Sequence, residues 1–230
     1  MRLSRAGYMM RARACAMCGA LLMAALPGAQ ADSFVPNEQR VSPRPDLFDP
    51  EFNQKRGKIT WVDATGRLWV ASVDRVSGML KPPNGMGVLV DPAALTASDQ
   101  MMVGNGPEWL PGPGADRIVY TKFVPGLPHD RQNARLAVAE QSQDGTWTNR
   151  FLDDRTRLRP YPSADPRDPA PRISYVDAAG SAYWREVDDP ASESLVASMP
   201  ASRVLPMRFV EGARATVFVM PIDGVDQVVR

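Results

Sequence analysis

One histidine, five tryptophans and a scatter of turn-forming aspartates are the side chains of this 230-residue chain best suited to chemistry. His129 lies in the loop Pro125-Gly126-Leu127-Pro128-His129-Asp130-Arg131-Gln132-Asn133. An imidazole beside a carboxylate can bind a ligand or sense pH. The plainer reading, a solvated insertion, is preferred because polar loops are commonly exposed. A His/Cys zinc site needs three or four ligands; with Cys15 and Cys18 expected to leave with the N-terminal segment, a single His cannot supply them, so no metal centre is expected. Asp63, Asp144, Asp177 and Asp223 all sit at turns. Two such carboxylates can cleave a glycosidic bond as an acid/base pair. An Asp at a turn more often accepts hydrogen bonds from its own backbone, and a feature repeated along the chain is unlike an active site, which is unique. The acidic stretch Asp165-Pro166-Arg167-Asp168-Pro169 lacks calcium-loop spacing. There is no Gly-x-Ser-x-Gly elbow and no Gly-rich phosphate loop before a helix. No catalytic residue is assigned and no cofactor is expected. Trp61, Trp69 and Trp109 fall at positions that recur along the chain and read as packing residues. Trp147 and Trp184 sit beside strand ends, freer to stack on a sugar. With His129 they are the binding candidates.

The first residues read as an export signal. Arg2, Arg5, Arg11 and Arg13 precede an apolar stretch at residues 14–26, then Pro27-Gly28 and the small-x-small site Ala29-Gln30-Ala31. That stretch is far shorter than the ~20 residues a membrane helix needs, so cleavage before Asp32 is expected, leaving no membrane span. Cleavage of 1–31 removes both cysteines, Cys15 and Cys18, and moves the net charge from +1 to the acidic side. The basic balance that would suggest nucleic acid goes with it. Residues 32–47 hold three prolines and no period, and read as an extended leader or a strap along the folded body.

From residue 48 onward one pattern is written four times: Pro-x-aromatic, a turn, then a basic residue and Ile-x-aromatic. It runs from Pro50-Glu51-Phe52 to Lys58-Ile59-Thr60-Trp61, and from Pro107-Glu108-Trp109 to Arg117-Ile118-Val119-Tyr120. It recurs from Pro160-Tyr161 to Arg172-Ile173-Ser174-Tyr175 and, more loosely, from Pro206 and Phe209 to Thr216-Val217-Phe218. Residues 58–69 align with 172–183 without a gap, sharing Ile, Val, Asp, Ala and Gly. Alternating apolar residues around Asp63-Ala64-Thr65-Gly66 predict a hairpin, and the same holds at 177–180. Further strands are expected at 87–90, 134–139, 147–152, 194–197, 217–220 and 227–229, with one helical turn at 92–95. The chain has 22 prolines, about twice the ~5% norm, which suits many short elements. A repeat of this size with three or four strands per unit predicts an all-β fold, a β-propeller of about four antiparallel blades.

Gly106-Pro107-Glu108-Trp109-Leu110-Pro111-Gly112, followed by Arg117-Ile118-Val119-Tyr120-Thr121, resembles the Pro-x-Trp-Ser-Pro-Asp-Gly…Ile-x-(Phe/Tyr) signature of TolB-type, WD-like propeller repeats. Leu110 stands for Ser and Gly112 for Asp. The resemblance covers about residues 48–230 and is close only in the second unit. It implies a periplasmic or secreted propeller used for protein–protein contact, with the motif residues packing between blades, and it carries over no catalytic residue. Four units are few for that family, and Arg230 follows closely on unit four. A compact four-bladed ring, a partial ring completed by another chain, and a shortened product all remain open; an incomplete or strained ring is favoured. An open ring exposes a strand edge that invites self-association. The expected function is an exported non-enzymatic module of the cell envelope that binds a protein partner; the alternative is a carbohydrate-binding or glycan-active propeller.

Overall fold

The computed structural model describes residues 41–81, 85–96, 98–99, 106–156, 158–162, 170–177, 179–198, 208–209 and 216–229. Residues 1–31, read above as an export signal, residues 32–40 of the expected leader, the stretch 165–169 and Pro206 lie outside them. Alternating β-branched and aromatic residues make strands, and turns fold the strands into four small antiparallel sheets that follow chain order. Sheet 1 holds β1 (Phe48–Asn53), β2 (Lys58–Val62), β3 (Leu68–Val73), β4 (Leu80–Lys81) and β5 (Val88–Asp91); both β4 and β5 pair with β3. Sheet 2 is the meander β6 (Glu108–Trp109), β7 (Arg117–Phe123), β8 (Ala134–Gln141) and β9 (Trp147–Thr156). Sheet 3 is the meander β10 (Leu158–Pro162), β11 (Arg172–Val176), β12 (Ser181–Glu186) and β13 (Asp189–Ser198). Sheet 4 holds β14 (Arg208–Phe209), β15 (Thr216–Ile222) and β16 (Val225–Val229). Residues 92–95 form a turn rather than helix, and a 3-10 turn spans Arg131–Asn133, capped by Asp130.

The ungapped sequence match is a match of register. Trp61 pairs with Trp69 and Val62 with Leu68 in sheet 1; Tyr175 pairs with Tyr183 and Val176 with Ala182 in sheet 3. The two turns close with the same backbone hydrogen bonds. Asp63 N–H donates to Arg67 O and Gly66 N–H to Asp63 O, as Asp177 N–H does to Ser181 O and Gly180 N–H to Asp177 O. Gly66 and Gly180 hold φ of 83° and 92°, the left-handed region where a side chain is strained.

Alternation along each strand then assigns every apolar residue to one of two faces. Ile118, Tyr120, Ala137 and Ala139 of sheet 2 pack against Val62, Leu68, Val70 and Val90 of sheet 1. The opposite face of sheet 2, with Val119, Leu136 and Val138, packs against Ile173, Tyr175 and Tyr183 of sheet 3. The far face of sheet 3, through Val176, Ala182 and Trp184, meets Val229 of sheet 4. In sheets 2 and 3, therefore, the Ile-x-aromatic pair is buried against the sheet that precedes it in the chain.

Sheet 1 has no such predecessor among the described residues. Its Ile59 and Trp61, with Trp69, Ala71 and Val73, are covered instead by Val41 and Leu47. Residues 41–47 thus form a strap. Val41 O accepts from Leu80 N–H at 3.0 Å, and Ser42 Oγ donates to Gly85 O at 2.6 Å. The clasp is Arg44, only 6% exposed at its side chain. Its guanidinium lies 4.3 Å from the Trp69 ring centroid and donates to Asp63 Oδ2 at 3.0 Å and to both oxygens of Asp46.

Asp63 is fully buried and heavily solvated by protein. It accepts from the N–H groups of Thr65 and Arg67, from Thr65 Oγ1, from Arg67 Nε and from Trp69 Nε1. Burial alone would push its carboxyl up, but these donors outweigh it and hold the group far below the usual carboxylate range. A depressed folded-state pKa stabilises above the unfolded value near 3.8 and loses that contribution as pH falls below it. Urea midpoints are therefore expected to fall steeply below about pH 4, and Asp63→Asn is expected to flatten that acid limb. Arg44→Ala, which strips one counter-charge from a buried carboxylate and uncovers two indoles, is expected to cost about 3 kcal/mol by urea denaturation at neutral pH.

Candidate functional site

The boundary between sheets 1 and 2 concentrates the polar side chains that join elements distant in sequence. At one end, the β1–β2 turn leans on the loop between β6 and β7. Arg56 donates to Asp116 Oδ1 at 2.7 Å, to Gly114 O at 2.8 Å and to Gly112 O at 3.2 Å. Lys58 Nζ closes on the other Asp116 oxygen and on Gln141 Oε1 at 3.1 Å. Trp109 Nε1 donates to Glu51 O at 2.9 Å, and Gly106 N–H to Asp49 Oδ2 at 2.6 Å. The repeated basic residue of the sequence pattern acts alike in the next sheet: Arg117 grips Asp188 of sheet 3 with two bonds of 2.8 and 2.7 Å. The Arg117 guanidinium beside Asp188 holds that carboxyl below its ordinary value.

Two depressions open at this end. One, of about 290 Å3, is lined by Phe52, Asn53, Lys55, Arg56, Trp109 and Leu110. The other, of about 710 Å3, is bounded by Arg56, Lys58, Asp116, Glu140 and Gln141. Phe52 is 56% exposed although it occupies the register position filled by the buried Trp109 in sheet 2: it pairs with Ile59 as Trp109 pairs with Ile118. Lys55 is exposed and makes no ion pair among the described residues, whereas Arg56 and Lys58 are committed to Asp116. An apolar ring beside an uncommitted ammonium can hold an extended segment carrying an apolar side chain next to a carboxylate.

A buried group sits deeper. Asp91 Oδ2, at the end of β5, accepts from Tyr120 Oη and Lys122 Nζ of β7, each at 2.5 Å. Burial first, and then the Asp91 charge, push the Tyr120 phenol well above its ordinary value, so it stays protonated and is no nucleophile. Asp91 and Lys122 neutralise each other where sheets 1 and 2 meet. Neither was conspicuous in the sequence, because nothing local marks residues 31 apart as partners.

The sequence-derived candidates are scattered. His129 is 58% exposed at its side chain, stacks on Phe123 at 4.4 Å and 12°, and places Nδ1 3.3 Å from Asp99 Oδ2. It edges a cavity of about 210 Å3 with Gly66, Ala94, Phe123 and Val124. Trp147, opposite Gln141, is half-buried against the sheet 1–sheet 2 core. Trp184, opposite Ser174, is half-buried against Val176 and Ala182. His129 and Trp184 both border the cluster that holds Phe123, whereas Trp147 borders the one between sheets 1 and 2. The turn aspartates bind their own turns: Asp177 Oδ1 accepts from the N–H groups of Ala179 and Ser181, and Asp144 Oδ1 from Thr146 N–H. Ser142 Oγ also donates to Asp144 at 2.5 Å, which holds that carboxyl below its ordinary value and makes it a weaker base. Among the described residues no group of three or more His, Cys, Asp or Glu is placed to hold a metal ion, and no helix is long and apolar enough to cross a membrane.

No family model matches this chain, and no curated protein matches it. Among solved structures it is similar to a chain in the complex of the fission yeast SREBP–SCAP binding domains, at 11% identity and a TM-score of 0.40. The match covers 83% of this chain and 63% of that one, so this chain spans less than two thirds of its length.

Proposed function

We propose that this chain is an exported, non-enzymatic module of the cell envelope, built as a β-propeller-type stack of four small sheets in an incomplete ring, that binds a protein partner. One observation carries the reading. In sheets 2 and 3 the Ile-x-aromatic pair is buried against the preceding sheet, so successive units stack by their faces in chain order. That is how propeller blades bury their apolar surface. The resemblance of residues 106–121 to TolB-type repeats points the same way, as Trp109 is buried between sheets 1 and 2. Export rests on the sequence of residues 1–31.

The partner's place is the groove between the β1–β2 turn and β6, where Phe52 and Lys55 offer contact area and a charge that the fold leaves uncommitted. Aromatic anchors dominate such contacts, and a flanking charge sets orientation. Trp147 and Trp184 are each partly buried against an apolar cluster, which gives the carbohydrate reading less support than the partner reading.

Both parts are open to test. N-terminal sequencing of the chain recovered from the envelope fraction is expected to begin at Asp32; a retained Met1 rules out export by cleavage. The Phe52→Ala/Lys55→Glu double variant changes exposed residues only and is expected to fold as the parent does. Immobilised parent protein is expected to retain a partner from envelope extract, and the variant at least tenfold less, about 1.4 kcal/mol or more. Equal retention by the two removes the groove as the site.

A further inference from the structure

The two ends of the sheet stack are finished differently. The outer face of sheet 1 is sealed by residues 41–47. In sheet 4, Val229 packs toward sheet 3, so its neighbour Val228 points the other way, and Val228 is 74% exposed. Val219, directly opposite Val228, shares that outward face with Val217 and Pro221. The edge is open as well. In sheets 2 and 3 the third strand carries a fourth beyond it, β9 on β8 and β13 on β12, whereas β16 is an edge strand of sheet 4 among the described residues.

The β15–β16 turn tells which way the edge groups point. Asp223 and Gly224 have φ of 52° and 79°, both positive, the pattern of a two-residue type I′ turn. Such a turn makes Ile222 and Val225 a hydrogen-bonded pair, and alternation makes Val219 and Val228 a non-hydrogen-bonded one. Pro221, which has no N–H to give, falls at a non-hydrogen-bonded position opposite Asp226, as this alternation requires. The main-chain N–H and C=O of Val228 are therefore turned to the open edge.

We propose that a second copy of this chain pairs edge to edge with β16, antiparallel and centred on Gln227, so that two fourth sheets become one continuous sheet. The strand is complementary to itself in this register. Gln227 meets Gln227, Asp226 lies opposite Val228 of the second copy, and Val225 opposite its Val229, so no like charges oppose. Centring on Asp226 instead would set two carboxylates against each other. The copy's other apolar end is not a competitor, because its sheet 1 face is covered by its own strap. A twofold contact of this kind is isologous and closes on itself. It goes beyond the partner-binding reading and needs only the open edge of sheet 4: failure of the Phe52 and Lys55 test leaves it standing, and the reverse holds too.

In this register Gln227 sits at a non-hydrogen-bonded pair on the twofold, with Cα atoms about 4.5 Å apart, within the span a disulfide accepts. The test uses the full chain with Cys15 and Cys18 replaced by Ser. Gln227→Cys is expected to form a disulfide-linked dimer on mild oxidation, while Gln143→Cys, in the exposed β8–β9 turn, is expected to stay monomeric. Without substitutions the protein is expected to sediment as a dimer in the micromolar range, and Val228→Lys, which puts a charge on the edge, as a monomer. A monomeric parent, a Val228→Lys dimer, or Gln227→Cys cross-linking no better than Gln143→Cys would each overturn the proposal.

Discussion

The stacking of the first three sheets follows from one requirement: the aromatic residue two positions after the isoleucine in each of their units must lose its contact with water. A buried aromatic of this size stabilises by about 3 kcal/mol, and a sheet of a few short strands has no interior of its own in which to hide it. Tyr120 uses sheet 1 for cover and Tyr175 uses sheet 2. Trp61 has no earlier sheet among the described residues and takes a strap of seven residues, 41–47. That substitution explains why Arg44 is where it is. A guanidinium can lie flat on an indole and still present its edge to carboxylates, so one side chain covers Trp69 and satisfies Asp63 together. A lysine would do only the second.

Ion pairs set how the sheets sit on one another, and their burial decides which of them matter most. Asp91 and Lys122 are 2% and 8% exposed at their side chains and meet on the sheet 1–sheet 2 boundary. Losing either would leave a charge stranded out of water, so this pair penalises any slip between the two sheets. Arg117 and Asp188 link sheets 2 and 3, but Asp188 is 57% exposed, and water screens most of what that pair contributes. Alignment of sheets 2 and 3 accordingly rests more on shape, through Val119, Leu136, Val138, Ile173 and Tyr175.

Local chemistry was legible in the sequence, and distant pairing was not. The gapless alignment of residues 58–69 with 172–183 carried through to identical register and identical turn hydrogen bonds. The reason is that period-two alternation leaves a strand only two ways to face. Asp63 and Asp177 are readable as turn residues because the bonds they accept from their own turns lie within six residues. The sequence does not choose between a strap and a free leader, because the strap's partners Asp63, Trp69 and Gly85 lie 19 or more residues away. Trp147 and Trp184 were read as the freer indoles, yet apolar clusters formed by neighbouring sheets half-cover them. Phe52 holds the place in the repeat that Trp109 holds in sheet 2, yet it is exposed where Trp109 is buried.

The unequal ends of the stack have a consequence for assembly. A sheet stack whose first and last faces were both bare would add copies head to tail without limit, since each addition would leave a new bare face. Here the first face is occupied within the chain by residues that cannot be shared, with Arg44 buried against Asp63 and Trp69. Growth in that direction would have to expel the strap and strand a buried carboxylate, a cost of about 3 kcal/mol or more before any new contact formed. Stacking of copies on the sheet 1 face is thereby disfavoured, and the edge pairing proposed above uses the opposite end, where joining two like edges consumes both. The same buried clasp that covers sheet 1 thus also disfavours growth of the stack from that end.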